Sequence, residues 1–148
     1  MAGRPPRQGG AARAVTTAVD TSVLLAIFKR ESGHEGWLDL MAEHAAAGPL
    51  AACEVVWAEV AAFFTEFERL RGSLDLLSVR FDPIAPETAH CAGRAFRAYR
   101  DQGGPRTHLI FDFLVGAHVQ LQADGLLALD CGFYCRYFRD LKVVSSTE

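Results

Sequence analysis

Short apolar runs alternate along this chain with longer stretches in which apolar residues recur every three or four positions. The runs Val15–Val19, Leu50–Ala52, Phe81–Ala85 and Leu126–Leu129, followed by Lys142–Ser145, are mostly aliphatic and bounded by turn formers, which predicts strands. Between them Ser22–Phe28, Gly36–Ala46, Val55–Arg71, Gly72–Val79, Pro86–Gln102 and Phe113–Ala123 carry helical spacing. Pro86 suits a first helical turn, Gly103, Gly104 and Pro105 follow a helix end, and Asp112 stands where an N-cap belongs. Short strands alternating with helices imply parallel strands joined by right-handed crossovers. The expected fold is therefore α/β, a three-layer α/β/α domain around a central, mostly parallel sheet.

Residues 1–14 are rich in Gly, Pro, Arg and Ala without apolar periodicity, so a disordered leader is expected there, with residues 15–148 forming one domain. A chain of 148 residues, half of them apolar, is long enough to bury the core of one domain. No apolar run reaches bilayer length and no secretory signal is present, which points to a cytoplasmic protein. Its four cysteines form no CxxC pair, so free thiols in a reducing compartment are expected rather than a disulfide framework. The formal net charge of −3 means that any nucleic-acid binding must come from a local basic patch.

The chemistry gathers at strand ends. In an open parallel sheet, ligands bind beyond the carboxyl ends of the strands, where helix N-termini also point. Asp20 ends the first strand, Asp130 ends "GLLALD", and Asp112 follows "HLIF" at the start of a helix, so all three open on that edge. Glu59 falls on the margin of an apolar helical stripe, Val56, Val60, Phe63, Phe67 and Leu70, where a carboxylate needs a partner. Each acid alone has an ordinary explanation as a cap, a turn residue or half of a salt bridge. Glu54 reads as a helix-start acid. Together the four would repel one another unless a cation neutralised them, and all-oxygen ligation suits Mg²⁺ or Mn²⁺ rather than zinc. A metal site of that kind supports phosphodiester hydrolysis.

The stretches "VDTSVLLAIF", "EVVWAEVAAFF", "FDFLVGAHV" and "LLALDCGFYCRYFRDLKVV" resemble, in order and spacing, the PIN-domain ribonucleases, in particular the VapC-type toxins of toxin–antitoxin operons. The resemblance spans roughly residues 15–144. It implies that Asp20, Glu59, Asp112 and Asp130 are the catalytic, metal-binding acids of a Mg²⁺- or Mn²⁺-dependent endoribonuclease. It also implies a homodimer neutralised by a cognate antitoxin, with Ser22 supporting the acids through its hydroxyl and Thr21 shaping the turn. Around the last acid the chain departs from the usual Thr-Arg-Asp pattern and reads "ALDCGFYCRYF", with Ala128, Leu129, Cys131 and Cys135 in place of hydroxyl or cationic groups.

Arg94, Arg97 and Arg100 follow helical spacing and, with Arg106 and His108 in the loop before Asp112, form a candidate RNA-guiding surface; a merely solvated basic face is the alternative. Phe133, Tyr134, Tyr137 and Phe138 are expected to close the core, with base stacking the less common use. His118 lies well around its helix from Asp112 and is expected to be satisfied elsewhere. Cys131 and Cys135 are expected to pack rather than to hold zinc or act in redox chemistry. The apolar stripe, with Trp57 and Phe64, exceeds what one sheet face needs, which fits dimerisation or antitoxin binding. Two further readings compete: a PIN-like module that binds RNA or antitoxin without cleaving, and a receiver-like signalling domain. The latter lacks an acid pair after the first strand and a mid-chain acceptor aspartate.

Overall fold

A computed structural model describes residues 14–106 and 108–145; the leader expected over residues 1–14 lies, apart from Ala14, outside the described residues. Five strands, β1 (Thr17–Val19), β2 (Leu50–Ala52), β3 (Val79–Phe81), β4 (Gly125–Leu127) and β5 (Val143–Val144), pair in the order β3-β2-β1-β4-β5. Every pairing is parallel. The three inner strands are buried along their whole length, as continuous apolar runs covered on both faces should be. Seven helices accompany them: α1 (Thr21–Phe28), α2 (His34–Ala47), α3 (Glu54–Ala61), α4 (Phe67–Leu76), α5 (Pro86–Asp101), α6 (Ile110–Gln122) and α7 (Gly132–Tyr137). The arrangement is the expected three-layer α/β/α sandwich. Among the described residues no helix is long and apolar enough to cross a membrane.

Strand order reverses at β1. From there β2 and β3 extend to one side, while α5 and α6 carry the chain across to β4 on the other. A crevice opens at such a switch point, beyond the carboxyl ends of β1 and β4. The larger core cluster joins the sheet to α1–α4 and includes Leu24, Trp37, Met41, Leu70 and Leu74. A second cluster, built on Tyr99, Phe113, Ala117 and Phe138, joins α5, α6 and the segment after α7. Phe113 is fully buried at its centre, so most of the aromatic run at 133–138 closes this core as expected.

The structure corrects several boundaries. The third strand is Val79–Phe81 rather than Phe81–Ala85, because pairing with β2 stops once Asp82 donates to the Ala52 carbonyl. Beyond it the Ile84 and Ala85 amides go instead to the side chains of Glu54 and Gln122. The helix expected over Val55–Arg71 is two, and residues 72–76 belong to the second. After Ala61 the Phe63 and Phe64 amides bond carbonyls three residues back, tightening the turn, and both rings swing onto Phe28 of α1. The stripe is thereby broken: Val56, Val60 and Leu70 are buried, while Phe63 and Phe67 are exposed. The sixth helix starts at Ile110, so Asp112 is its third residue and Leu109 the N-cap. A further short helix, α7, follows Asp130, and Cys131 and Cys135 at its start are joined as a disulfide, a correction to the expectation of free thiols.

His118 is buried and bonded through Nε2 to Asp82 Oδ2 at 2.8 Å, satisfied away from Asp112. Gln122 bonds the same carboxylate and the Pro83 carbonyl, so α6 is anchored to the loop after β3.

One close approach tests how α6 is seated. Gly116 lies against the buried ring of Phe138, and a methyl group there would collide with that ring. Overpacking costs about 1–3 kcal/mol, whereas Gly to Ala within a helix gains at most about 1 kcal/mol. Gly116→Ala is expected to lower the urea denaturation midpoint; a raised midpoint would show that the helix and the ring are not in contact.

Candidate active site

Asp20 occupies the end of β1, where its amide donates to the Leu127 carbonyl at 2.9 Å and carries the β1–β4 pairing one residue further. Its extended backbone makes it the N-cap of α1. Carboxylate oxygen Oδ2 accepts from the Ser22 amide at 3.1 Å and from Ser22 Oγ at 2.5 Å. The other oxygen, Oδ1, accepts from Tyr134 Oη at 2.7 Å. Ser22 Oγ in turn accepts from the Leu129 amide at 3.2 Å, which ties α1 to the loop after β4.

Glu59 reaches the same edge from α3. Its Oε1 accepts from Thr21 Oγ1 at 3.1 Å, so the threonine expected only to shape the turn supports an acid directly. Burial pushes the Glu59 carboxyl above the ordinary range, the Thr21 bond works against that, and the charges of Asp20 and Asp112 push it further up. Asp112 stands in the first turn of α6, where its Oδ2 accepts from the Leu109 amide at 3.2 Å and lies 3.8 Å from His108 Nδ1.

Tyr134 sits among these groups. Burial, then the Asp20 charge and bond, and finally the charges of Asp112 and Glu59 push its phenol far above the ordinary value. The hydroxyl therefore stays a donor at any working pH. The aromatic run was expected to close the core, and Tyr134 does more than that. The available signal was its place on an element leaving the same sheet edge, four residues past Asp130.

Asp20, Glu59 and Asp112 thus come from three elements into one electrostatic neighbourhood. Asp130 is not among the charges that raise Glu59 or Tyr134. The side chain is exposed and its Oδ1 accepts from the Gly132 amide at 2.8 Å, closing the turn that starts α7. Of the candidate RNA-guiding residues, Arg97 points to solvent and pairs with Asp101 at 3.7 Å. The Arg100 guanidinium instead lies 5.7 Å over the Phe96 ring, on the side of Arg106 and His108.

Residues 17–137 match the PIN domain family. The chain belongs to it. PIN domains are in general nucleases. The fold is similar to that of VapBC2 from Rickettsia felis, bound to a DNA fragment from its promoter, with 16% identity, a TM-score of 0.66, and coverage of 90% of this chain and 100% of that one. VapBC-1 from nontypeable Haemophilus influenzae is similar at 18% identity and a TM-score of 0.65, over 88% of this chain and 98% of that one. A toxin–antitoxin complex from Klebsiella pneumoniae follows at 18% identity and a TM-score of 0.60, over 87% of this chain and 96% of that one. No curated protein sequence matches the chain significantly.

The three acids of this PIN domain are suited to a hard divalent cation by donor chemistry, since they offer only oxygen and the charges of two of them raise the third, Glu59. Among the described residues no three His, Cys, Asp or Glu side chains form a closed ligand cluster, so the acids are neighbours rather than a finished cage.

Because the Glu59 carboxyl is raised in the fold, the folded state holds its proton more tightly than the unfolded chain does. Its contribution to stability therefore falls as pH rises from the ordinary carboxyl value through the raised one. Glu59→Gln keeps an acceptor for Thr21 and removes the repulsion. In metal-free buffer at pH 7 the variant is expected to have a slightly higher denaturation midpoint, the gain kept small by solvent screening. The difference should vanish below about pH 4, where the wild-type carboxyl is protonated too. Equal midpoints at pH 7 would show that the neighbouring acids do not act on Glu59.

Proposed function

We propose that the protein is a Mg²⁺- or Mn²⁺-dependent endoribonuclease toxin of the VapC type, cytoplasmic, homodimeric and neutralised by a cognate antitoxin. The observation that carries the reading is the meeting of Asp20, Glu59 and Asp112 at the switch point of a PIN-family sheet. The likeness of the fold to VapBC and other toxin–antitoxin complexes supports an antitoxin partner.

In this reading Asp20, Glu59 and Asp112 hold the cation. When bound, it supplies Lewis-acid polarisation of the phosphodiester and an activated water. The chain itself supplies position. Ser22 and Tyr134 fix both oxygens of Asp20, and Thr21 holds Glu59. The first turn of α6 presents Asp112 beside the positive end of its helix. Asp130 acts through α7, whose first turn it closes and whose Tyr134 contacts Asp20.

That role for Asp130 also motivates the second reading, a module that holds RNA without cleaving it. Both are separated by incubating purified protein with labelled RNA and Mn²⁺. Wild type is expected to cleave and to stop when EDTA is added, and Asp20→Asn is expected to lose about 100-fold or more. Asp130→Asn, which still accepts from the Gly132 amide, is expected to lose far less. No wild-type cleavage above the Asp20→Asn level would leave the binding reading standing, and equal losses in the two variants would return Asp130 to the metal site.

In the same reading the dimer forms through α4. Phe67 and Leu76 stand exposed there, with Phe63 just before the helix, around a groove of about 870 Å³ that Phe64, Glu68 and Arg69 also line. Exposed aromatic surface of this kind is characteristic of interfaces. Light scattering at micromolar concentration is expected to give a dimer for wild type and a monomer for Phe67→Asp; a wild-type monomer would refute this part of the proposal.

A further inference from the structure

A second concavity adjoins the acids on the α6 side. It has a volume of about 500 Å³ and is lined chiefly by Phe96, Tyr99, Arg100, Arg106, His108 and Leu109. That volume falls in the range of small-molecule sites. The wall is built rather than incidental: Tyr99 is buried and its hydroxyl donates to the Pro105 carbonyl, which binds the loop to α5. A side chain at Gly104 would come within 2.5 Å of the Tyr99 ring, so glycine lets the loop lie against it. The His108 ring is held 4.6 Å from Phe133 and 5.8 Å from Tyr99. From there its Nδ1 is 3.8 Å from Asp112 Oδ2, which makes the pocket continuous with the acids.

The lining has two chemical halves. Arg100 and Arg106 are exposed cations with guanidinium forks suited to phosphate. Phe96 and His108 are flat rings of the kind on which bases stack. Among acids that repel anions, such a pocket gives a nucleic-acid strand a cationic and aromatic hold. We infer that it is a nucleotide subsite of the cleft: Arg100 and Arg106 take a phosphate next to the scissile one, and Phe96 and His108 take a base. An acidic peptide would satisfy the arginines but leave the rings unused. Arg97, on the same helix, is turned away and paired with Asp101, which makes it a matched control.

The inference rests on the nuclease reading for the origin of the strand, yet its test needs no cleavage. Binding of a labelled mixed-sequence RNA is measured by fluorescence anisotropy in the Asp20→Asn background. Arg100→Ala and Arg106→Ala are each expected to weaken binding about tenfold, and to flatten the salt dependence by roughly 0.7 for each phosphate contact removed. Arg97→Ala is expected to stay within about twofold of the parent. An abasic strand of equal length is expected to bind more weakly than the RNA and to be indifferent to Phe96→Leu. Equal effects of the Arg100 and Arg97 variants would overturn the subsite. An abasic strand binding as tightly as RNA would overturn its base-stacking half, and polyglutamate competing as well as RNA would reassign it to an acidic peptide. If wild-type protein fails to cleave RNA while Arg100→Ala still weakens binding, the nuclease reading falls and the subsite stands.

Discussion

The carboxylate of Asp20 is tied at both oxygens, by elements that lie far apart in the chain. Ser22 holds one oxygen from the first turn of α1, Tyr134 holds the other from α7, and the backbone of Asp20 is still part of the β1–β4 ladder. A charged group that accepts several hydrogen bonds gives each more than a neutral pair would, and leaving any donor unmatched in a half-buried site costs more than the bond is worth. Asp20 therefore links α7 to α1, alongside the Ser22–Leu129 bond and the core they share. Around this point the other carboxylates can approach only if the fold tolerates their repulsion.

The fold does so by giving each acid a donor of its own. Thr21 serves Glu59, the Leu109 amide serves Asp112, and Tyr134 remains protonated because burial, and then the charges around it, oppose its ionisation. Burial first, and then the charges of Asp20 and Asp112, keep Glu59 raised against the Thr21 bond. The same balance explains why the acids sit on the ends of rigid elements, since a loop would let them move apart.

Much of this was legible in the sequence because it rests on period and placement. Buried parallel strands read as short apolar runs, and Asp20, Asp112 and Glu59 read as acids at the ends or margins of such elements. Less legible were features set by tertiary contact. The break between α3 and α4 follows from Phe63 and Phe64 turning onto Phe28, so a stripe continuous on paper divides into a buried part and an exposed part. The early end of β3 depends on Glu54 and Gln122 capturing amides that a longer strand would have used. Spacing alone makes Arg97 and Arg100 equivalent, and only the Asp101 pairing and the Phe96 ring separate them.

Asp130 carries the main lesson for reading sites in this family by motif. Its place after β4 is what the motif predicts, but a carboxylate two residues before a glycine amide at a helix start has a local partner within reach. Local bonds of this kind compete with distant ones and need little chain ordering to form. In "ALDCGF", without the usual polar neighbours, the Asp130 side chain is exposed and bonded to the Gly132 amide. The group that reaches Asp20 from this segment is instead Tyr134, a neutral donor. A neutral donor at this edge fixes Asp20 without adding negative charge beside Glu59 and Asp112.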